Sequence, residues 1–239
     1  MTNYYMIMVD TDSVFYKGFV GGVFQTKKGT SHPVGPSDIS VYKLDSSIEK
    51  INWNFDEKPF LGFDYTKYEG HIIRENMWNI VKKYRVADYK ERTINVWIEG
   101  ELFESDFKHI FFEMPIQRER LETYEHLVFF DENKSEFEIG KFHLKIPTGE
   151  MVLTENAKNY DCFELRGGIK GIGSNLVVNE NLAKKLLSEN LKGIKIVPLR
   201  DAFRTFCNDS MLSLDNLLPR RKTKNKGNNK DKRSNLGSS

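Results

Sequence analysis

Short runs of alternating hydrophobic and polar residues occur along most of this chain, and they predict many strands and few helices. In the N-terminal part, strands are predicted at residues 4–9, 14–20, 22–26 and 39–44. The stretch 29–37 is rich in Gly, Pro and Ser, which predicts a loop. We therefore expect residues 1–63 to form a small β-rich subdomain.

Two stretches have the period of an amphipathic helix. Apolar residues from Ile73 to Tyr84 fall at helical spacing, which predicts a helix over residues 72–85. The second helix is predicted over 180–191, because Asn179 is a favourable N-cap and Gly193 suits a left-handed position after the helix. A further helix is expected to start within 201–206.

Strands fill the rest of the chain. They are predicted at residues 93–98, 109–114, 127–131, 137–146, 160–165, 176–178 and 194–198, with a bulge or turn at Gly140. The predicted fold class is α+β, with a β-rich N-terminal part packed on a mixed, mainly antiparallel sheet and two main helices. Residues 64–218 are expected to form the α+β domain.

Charge is unevenly distributed, although the net charge of the 239 residues is only +2. Residues 220–239 contain eight Lys and Arg and one acid, whereas the remainder has 28 basic and 33 acidic residues. Residues 219–239 have too few apolar side chains to offset their chain entropy and are predicted to be disordered. An acidic body favours a basic partner through electrostatic steering.

The apolar content gives no sign of a membrane segment. The apolar run at residues 4–9 is far shorter than the roughly 20 residues of a spanning helix. Cys162 and Cys207 are too few for a disulfide framework and suit a reducing compartment. A cytoplasmic location is expected.

The sharpest local motif is Asp10-Thr11-Asp12-Ser13, which resembles the metal-binding motif of family B DNA polymerases. Two carboxylates so close together can hold Mg²⁺ with the help of a phosphate. However, no second acidic motif is evident, and 239 residues leave no room for fingers, palm and thumb. A turn, in which Asp and Ser bond their own backbone, is the preferred interpretation.

Other enzyme signatures give no positive sign. The five histidines make no metal-ligand spacing, and no nucleophile-elbow motif is present. The glycines between 167 and 173 lack the spacing of a phosphate-binding loop. They indicate a turn between strands, with a partner-contact loop as the alternative. No cofactor and no catalytic residue are predicted.

Two acidic clusters are candidates for protein binding. The first consists of Glu99, Glu101, Glu104 and Asp106, and the second of Asp131, Glu132, Glu136 and Glu138. They are either solvated strand ends or a negative patch that covers a basic cleft of a partner. Trp97 and Tyr124 lie beside these clusters and are candidate interface anchors, although core burial is the alternative for Trp97.

Three segments resemble a known family. They are HIIRENMWNIVKKYRVADYKE from residue 71, HLVFFDENKSEFE from residue 126, and DCFELR followed by LVVNENLAKKLLSENLKGIKIVPL from residue 161. Over about residues 62–199 the chain is similar to bacterial immunity proteins of polymorphic toxin systems. Such proteins protect against toxins delivered by contact-dependent inhibition or type VI secretion during bacterial competition.

The resemblance implies a protein that binds and neutralises a cognate toxin and that is not an enzyme. It transfers no binding residues to this chain, because the family diverges where it meets its toxins. The acidic body suggests a basic, nuclease-like toxin as the partner. The alternative is a nucleic-acid-binding accessory protein acting through the basic tail, although that tail has no aromatic residue for base stacking.

Overall fold

The structure is a computed structural model that describes residues 3–15, 22–25, 49–68, 70–112, 129–140, 143–166, 169, 171–213 and 217. Its strands are β1 Tyr4–Val9, β2 Val23–Gln25, β3 Lys50–Phe55, β4 Tyr65–Lys67, β5 His71–Arg74, β6 Tyr89–Ile98, β7 Glu101–Phe103, β8 Phe107–Phe112, β9 Phe137–Ile139, β10 Lys145–Pro147, β11 Cys162–Glu164, β12 Leu176–Asn179 and β13 Ile194–Pro198. Its helices are α1 Glu75–Val81, α2 Glu180–Leu187 and α3 Leu199–Asp209, with a 3₁₀ helix at Glu155–Asn159. None of the helices in these ranges is long and apolar enough to cross a membrane.

A four-stranded sheet joins the two ends of the described chain. Its order is β11-β12-β1-β13, and β1 is antiparallel to both of its neighbours. Strands β12 and β13 are therefore parallel to each other, with α2 connecting them and β1 between them. The sheet thus contains strands from both sides of residue 63, while the proposed domain division at that residue stays a prediction.

A seven-stranded sheet makes up the other large part of the fold. Its order is β2-β3-β6-β8-β5-β4, and β7 pairs with the C-terminal half of β6. Strands β3 and β6 are parallel, whereas the other pairs are antiparallel. A separate two-stranded sheet contains β9 and β10. The predicted α+β class with mixed, mainly antiparallel pairing is confirmed. The described residues contain the two main helices and a third, α3, which begins at Leu199, two residues before the stretch 201–206 in which a further helix was expected to start.

The helix predicted from residue 72 begins too early. His71, Ile72 and Ile73 belong to β5, and α1 starts at Glu75. The cause is burial on both faces of β5, because Ile72 packs in a core cluster around Trp53 whereas Ile73 packs in a separate cluster around Met6. A strand that is buried on both faces has a continuous apolar run, which periodicity cannot tell from a helix.

The other predicted elements have mixed outcomes. The strand predicted over 137–146 is the hairpin of β9 and β10, and Gly140 donates its N–H to the Leu144 carbonyl across the turn at 2.9 Å. Helix α2 has the predicted N-cap, since Asn179 Oδ1 accepts the Leu182 N–H at 3.0 Å. Gly193 is left-handed, with φ of 71°, but lies beyond the C-cap at Ser188. The predicted strand at 39–44, the tail 219–239 and Tyr124 lie outside the described residues.

Candidate functional site

The first acidic cluster lies on one hairpin and the segment that follows it. Strand β6 turns into β7 through Glu99 and Gly100, which both have positive φ, of 52° and 84°. Two left-handed residues in a two-residue loop form the type I′ geometry that suits the twist of a hairpin. This turn exposes Glu99 and Glu101, and the chain leaving β7 exposes Glu104 and Asp106.

The parallel pairing of β3 with β6 brings a second acidic segment to the same end of the sheet. Phe55 is the register partner of Ile98, and the Glu99 N–H donates to the Phe55 carbonyl at 3.0 Å. Asp56 and Glu57 follow directly and are exposed. We call the resulting set the acidic rim: Asp56, Glu57, Glu99, Glu101, Glu104 and Asp106.

Large apolar side chains are exposed next to the acidic rim. Leu102 is 61% exposed, and Phe60 and Phe103 are each 41% exposed. Phe60 and Phe103 line a groove of about 300 Å³ between residues 58–62 and 103–107. Leu102 points to the opposite face of β7, because successive side chains of a strand alternate. We call the acidic rim, the groove and Leu102 together the β7 surface.

The charges of the acidic rim are mostly uncompensated. Asp106 forms an ion pair with Arg74. Within the described ranges no salt bridge engages the other five carboxylates, and Lys58 is the other basic residue that lines the groove. An exposed apolar centre among unpaired carboxylates is suited to a partner with a basic surface and an apolar anchor.

Trp97 does not belong to this exposed surface. It is only 9% exposed, and its Nε1–H donates to Asn52 Oδ1 at 2.9 Å. Core burial, the alternative considered for Trp97, is what the structure shows. The ring therefore supports the hairpin from within the sheet.

The second acidic cluster is separate and largely organised by its own contacts. Asp131 Oδ1 accepts the N–H groups of Asn133 and Lys134, at 3.1 and 3.2 Å. The hydrogen bond and charge of Lys134 hold the pKa of Asp131 below its ordinary value. Glu132 pairs with Lys145 Nζ at 2.7 Å. These contacts build the turn that leads into β9, which carries Glu138 and is preceded by Glu136.

The Asp10 motif forms a local turn. The Asp12 N–H donates to Asp10 Oδ1 at 3.3 Å, and the Ser13 N–H donates to the Asp10 carbonyl at 3.2 Å. These are the backbone bonds expected of the turn interpretation. In the part of the chain that the structure describes, no three His, Cys, Asp or Glu side chains gather as a metal site would require.

One titratable network was not expected from the sequence. The Tyr65 hydroxyl lies 3.0 Å from His71 Nδ1, and His71 Nε2 lies 3.3 Å from Glu164 Oε2. Arg166 Nη2 donates to the same Glu164 oxygen at 3.3 Å and to the Phe112 carbonyl at 2.7 Å. Tyr65, His71 and Glu164 are all buried, and the network ties β4 and β5 to β11.

Comparison with known proteins identifies the family of the chain. The sequence model of the family described as immunity protein 43 matches residues 49–214. This span begins at the residue before β3 and includes the β7 surface, whereas β1 and β2 precede it. A comparison with curated proteins gave no match. Because the match covers more than half of the 239 residues, the chain belongs to the immunity protein 43 family.

Proposed function

We propose that this protein neutralises a cognate antibacterial toxin by binding it one-to-one through the β7 surface. Membership of an immunity family supports protection against a toxin as the general role. The observation that carries the specific proposal is the exposure of Phe60 and Phe103, which line one groove next to the acidic rim. Inhibition occurs by occupying the toxin, without turnover and without a cofactor.

The proposed partner surface is basic with an apolar anchor. Five carboxylates without an ion pair in the described residues attract positive charge and speed association. An apolar side chain of the toxin that becomes buried in the groove then supplies much of the affinity, because a few central contacts dominate most interfaces. A toxin that acts on nucleic acid has such a basic cleft, and delivery by contact-dependent or type VI secretion belongs to the same proposal.

Charge reversal tests this function. The protein is co-expressed with a candidate toxin taken from the genes next to its own, and growth rescue and co-purification are scored. The double variant Glu101→Lys with Glu104→Lys places two cations in the acidic rim, and it should lose rescue and bind at least about tenfold more weakly. Phe103→Ala should weaken binding by a similar factor, because it removes an aromatic side chain from the groove.

A matched control changes the same charge elsewhere. Glu136 and Glu150 are exposed and adjacent, since the Glu136 N–H donates to the Glu150 carbonyl at 2.9 Å. Their double reversal to Lys should preserve rescue. Loss of rescue in this control alone would move the interface to the second acidic cluster and overturn the β7 surface. Failure of the unmodified protein to rescue or to bind would overturn the proposed function itself.

A further inference from the structure

Arg74 connects the two walls of the groove. It is the last residue of β5 and precedes α1. On one wall, Arg74 Nη2 donates to the Leu61 carbonyl at 2.6 Å, and Nε donates to the carbonyl of Phe63, directly after that wall, at 2.9 Å. On the other wall, Nη1 pairs with Asp106.

The ring of Phe107 completes this arrangement. The guanidinium carbon of Arg74 lies 4.5 Å from the centroid of that ring, which is buried. Main-chain bonds reinforce the junction, since the Arg74 N–H donates to the Asp64 carbonyl and the Glu75 N–H donates to the Asp106 carbonyl, both at 2.8 Å. The Arg74 side chain itself is 27% exposed and lines the groove.

The arrangement depends on the shape of the guanidinium. Its planar fork directs three donors to three acceptors and leaves a flat face for the Phe107 ring. A lysine ammonium keeps the charge but is a compact group, which cannot hold both carbonyls and the carboxylate while stacking on the ring. The contacts of Arg74 therefore depend on guanidinium geometry in addition to positive charge.

We infer that Arg74 is a positioning residue of the toxin interface, which fixes the distance between the Phe60 and Phe103 walls before the toxin arrives. This inference rests on the proposed function. Phe60 precedes the Leu61 carbonyl that Arg74 holds, and Phe103 is three residues from Asp106. Holding both walls in the free protein lowers the ordering cost of binding.

The test is Arg74→Lys, with toxin affinity measured by titration calorimetry on the purified full chain. We expect about tenfold weaker binding, because the two walls must then be ordered during association. The matched control is Arg85→Lys. Arg85 also makes a forked ion pair, with Nη2 donating to Asp161 Oδ1 at 2.8 Å and Nε donating to Oδ2 at 3.1 Å, but it lies away from the groove. Arg85→Lys should leave affinity unchanged.

A double-mutant cycle separates positioning from general stability. In a background of Phe60→Ala with Phe103→Ala, Arg74→Lys should have no further effect on affinity, because the side chains that it positions are gone. Equal effects in both backgrounds would overturn the inference. The inference is also overturned if Arg74→Lys binds the toxin with full affinity while the variants of the β7 surface bind it poorly. That result would leave the proposed function intact.

Should Arg74→Lys fail to fold, Asp106→Asn serves in the same cycle. It removes the charge of the ion pair on one wall and keeps the bonds of Arg74 to Leu61 and Phe63. Because Asp106 also belongs to the acidic rim, part of its effect is a direct loss of charge. A loss of affinity that becomes smaller in the double-alanine background supports the inference, and an equal loss in both backgrounds overturns it.

Discussion

The buried carboxylate of Glu164 should stabilise the fold through its charge. Glu164 Oε2 accepts hydrogen bonds from His71 Nε2 and Arg166 Nη2, each at 3.3 Å. Burial alone would raise the pKa of Glu164, but the hydrogen bonds and electrostatic interactions with His71 and with the guanidinium of Arg166 outweigh burial and lower this pKa. The substitution Glu164→Gln keeps the shape of the side chain and removes its charge.

The expected loss follows from the number of contacts. A hydrogen bond to a charged group contributes about 1.5–3 kcal/mol, and Gln keeps only one neutral acceptor and brings donors of its own toward Arg166. We therefore expect Glu164→Gln to lower the free energy of unfolding at pH 7 by about 2–4 kcal/mol. Urea denaturation measures this difference. Glu104→Gln is the control, since Glu104 is exposed and its change should stay within about 0.5 kcal/mol.

The pH dependence gives a second, independent readout. Because the pKa of Glu164 is lower in the folded state, its contribution is complete above the ordinary value of 4.5 and is lost as pH falls through the folded-state pKa. The difference in stability between the unmodified protein and Glu164→Gln should therefore shrink with acidification below that value. Equal stabilities at pH 7, or a difference that is constant with pH, would refute the assignment.

Two further predictions concern single local structures, each measured by urea denaturation. Asn179→Ala should cost about 1–2 kcal/mol, because it removes the N-cap of α2 and the hydrogen bond from Asn179 Nδ2 to Asp161 Oδ1 at 2.6 Å. Asn179→Asp keeps the cap but places a carboxylate next to Asp161, so a fully stable Asn179→Asp would contradict this account. Glu99→Asn should stabilise the protein by about 0.5–1 kcal/mol, since Asn tolerates the left-handed position of the β6–β7 turn better than Glu. Glu101→Asn, in the neighbouring strand, should give no such gain.

Local signals in the sequence predicted the elements that depend on local chemistry. Strand β1 and the N-cap of α2 follow from an apolar run and from a capping residue, and both formed as predicted. The predicted start of α1 at residue 72 was wrong, because Ile72 and Ile73 belong to a strand and are buried on its opposite faces. Strand β3 was not predicted, although Ile51, Trp53 and Phe55 alternate with asparagines. Both of those asparagines, Asn52 and Asn54, are buried.

Only part of the candidate site could be predicted from the sequence. One acidic cluster is close together along the chain, so it could be recognised without knowledge of the fold: Glu99, Glu101, Glu104 and Asp106. Asp56, Glu57 and Phe60 join them only through the parallel pairing of β3 with β6. A pairing between strands so far apart in the sequence leaves no local signal. The network of His71 with Glu164 could not be predicted either, because the two residues are far apart in the sequence and their strands belong to different sheets.

The position of β1 sets a limit on how the protein can be shortened. The family match starts at residue 49, yet Met6, Ile7 and Met8 are buried in the larger core, between β12 and β13. A fragment cut to the matched span would lack β1, so β12 and β13 would no longer have a strand between them. Each would then expose a row of unpaired backbone donors and acceptors along the edge that β1 covers. Such a fragment would be prone to pair with other chains, so the minimal folding unit extends back to the first strand.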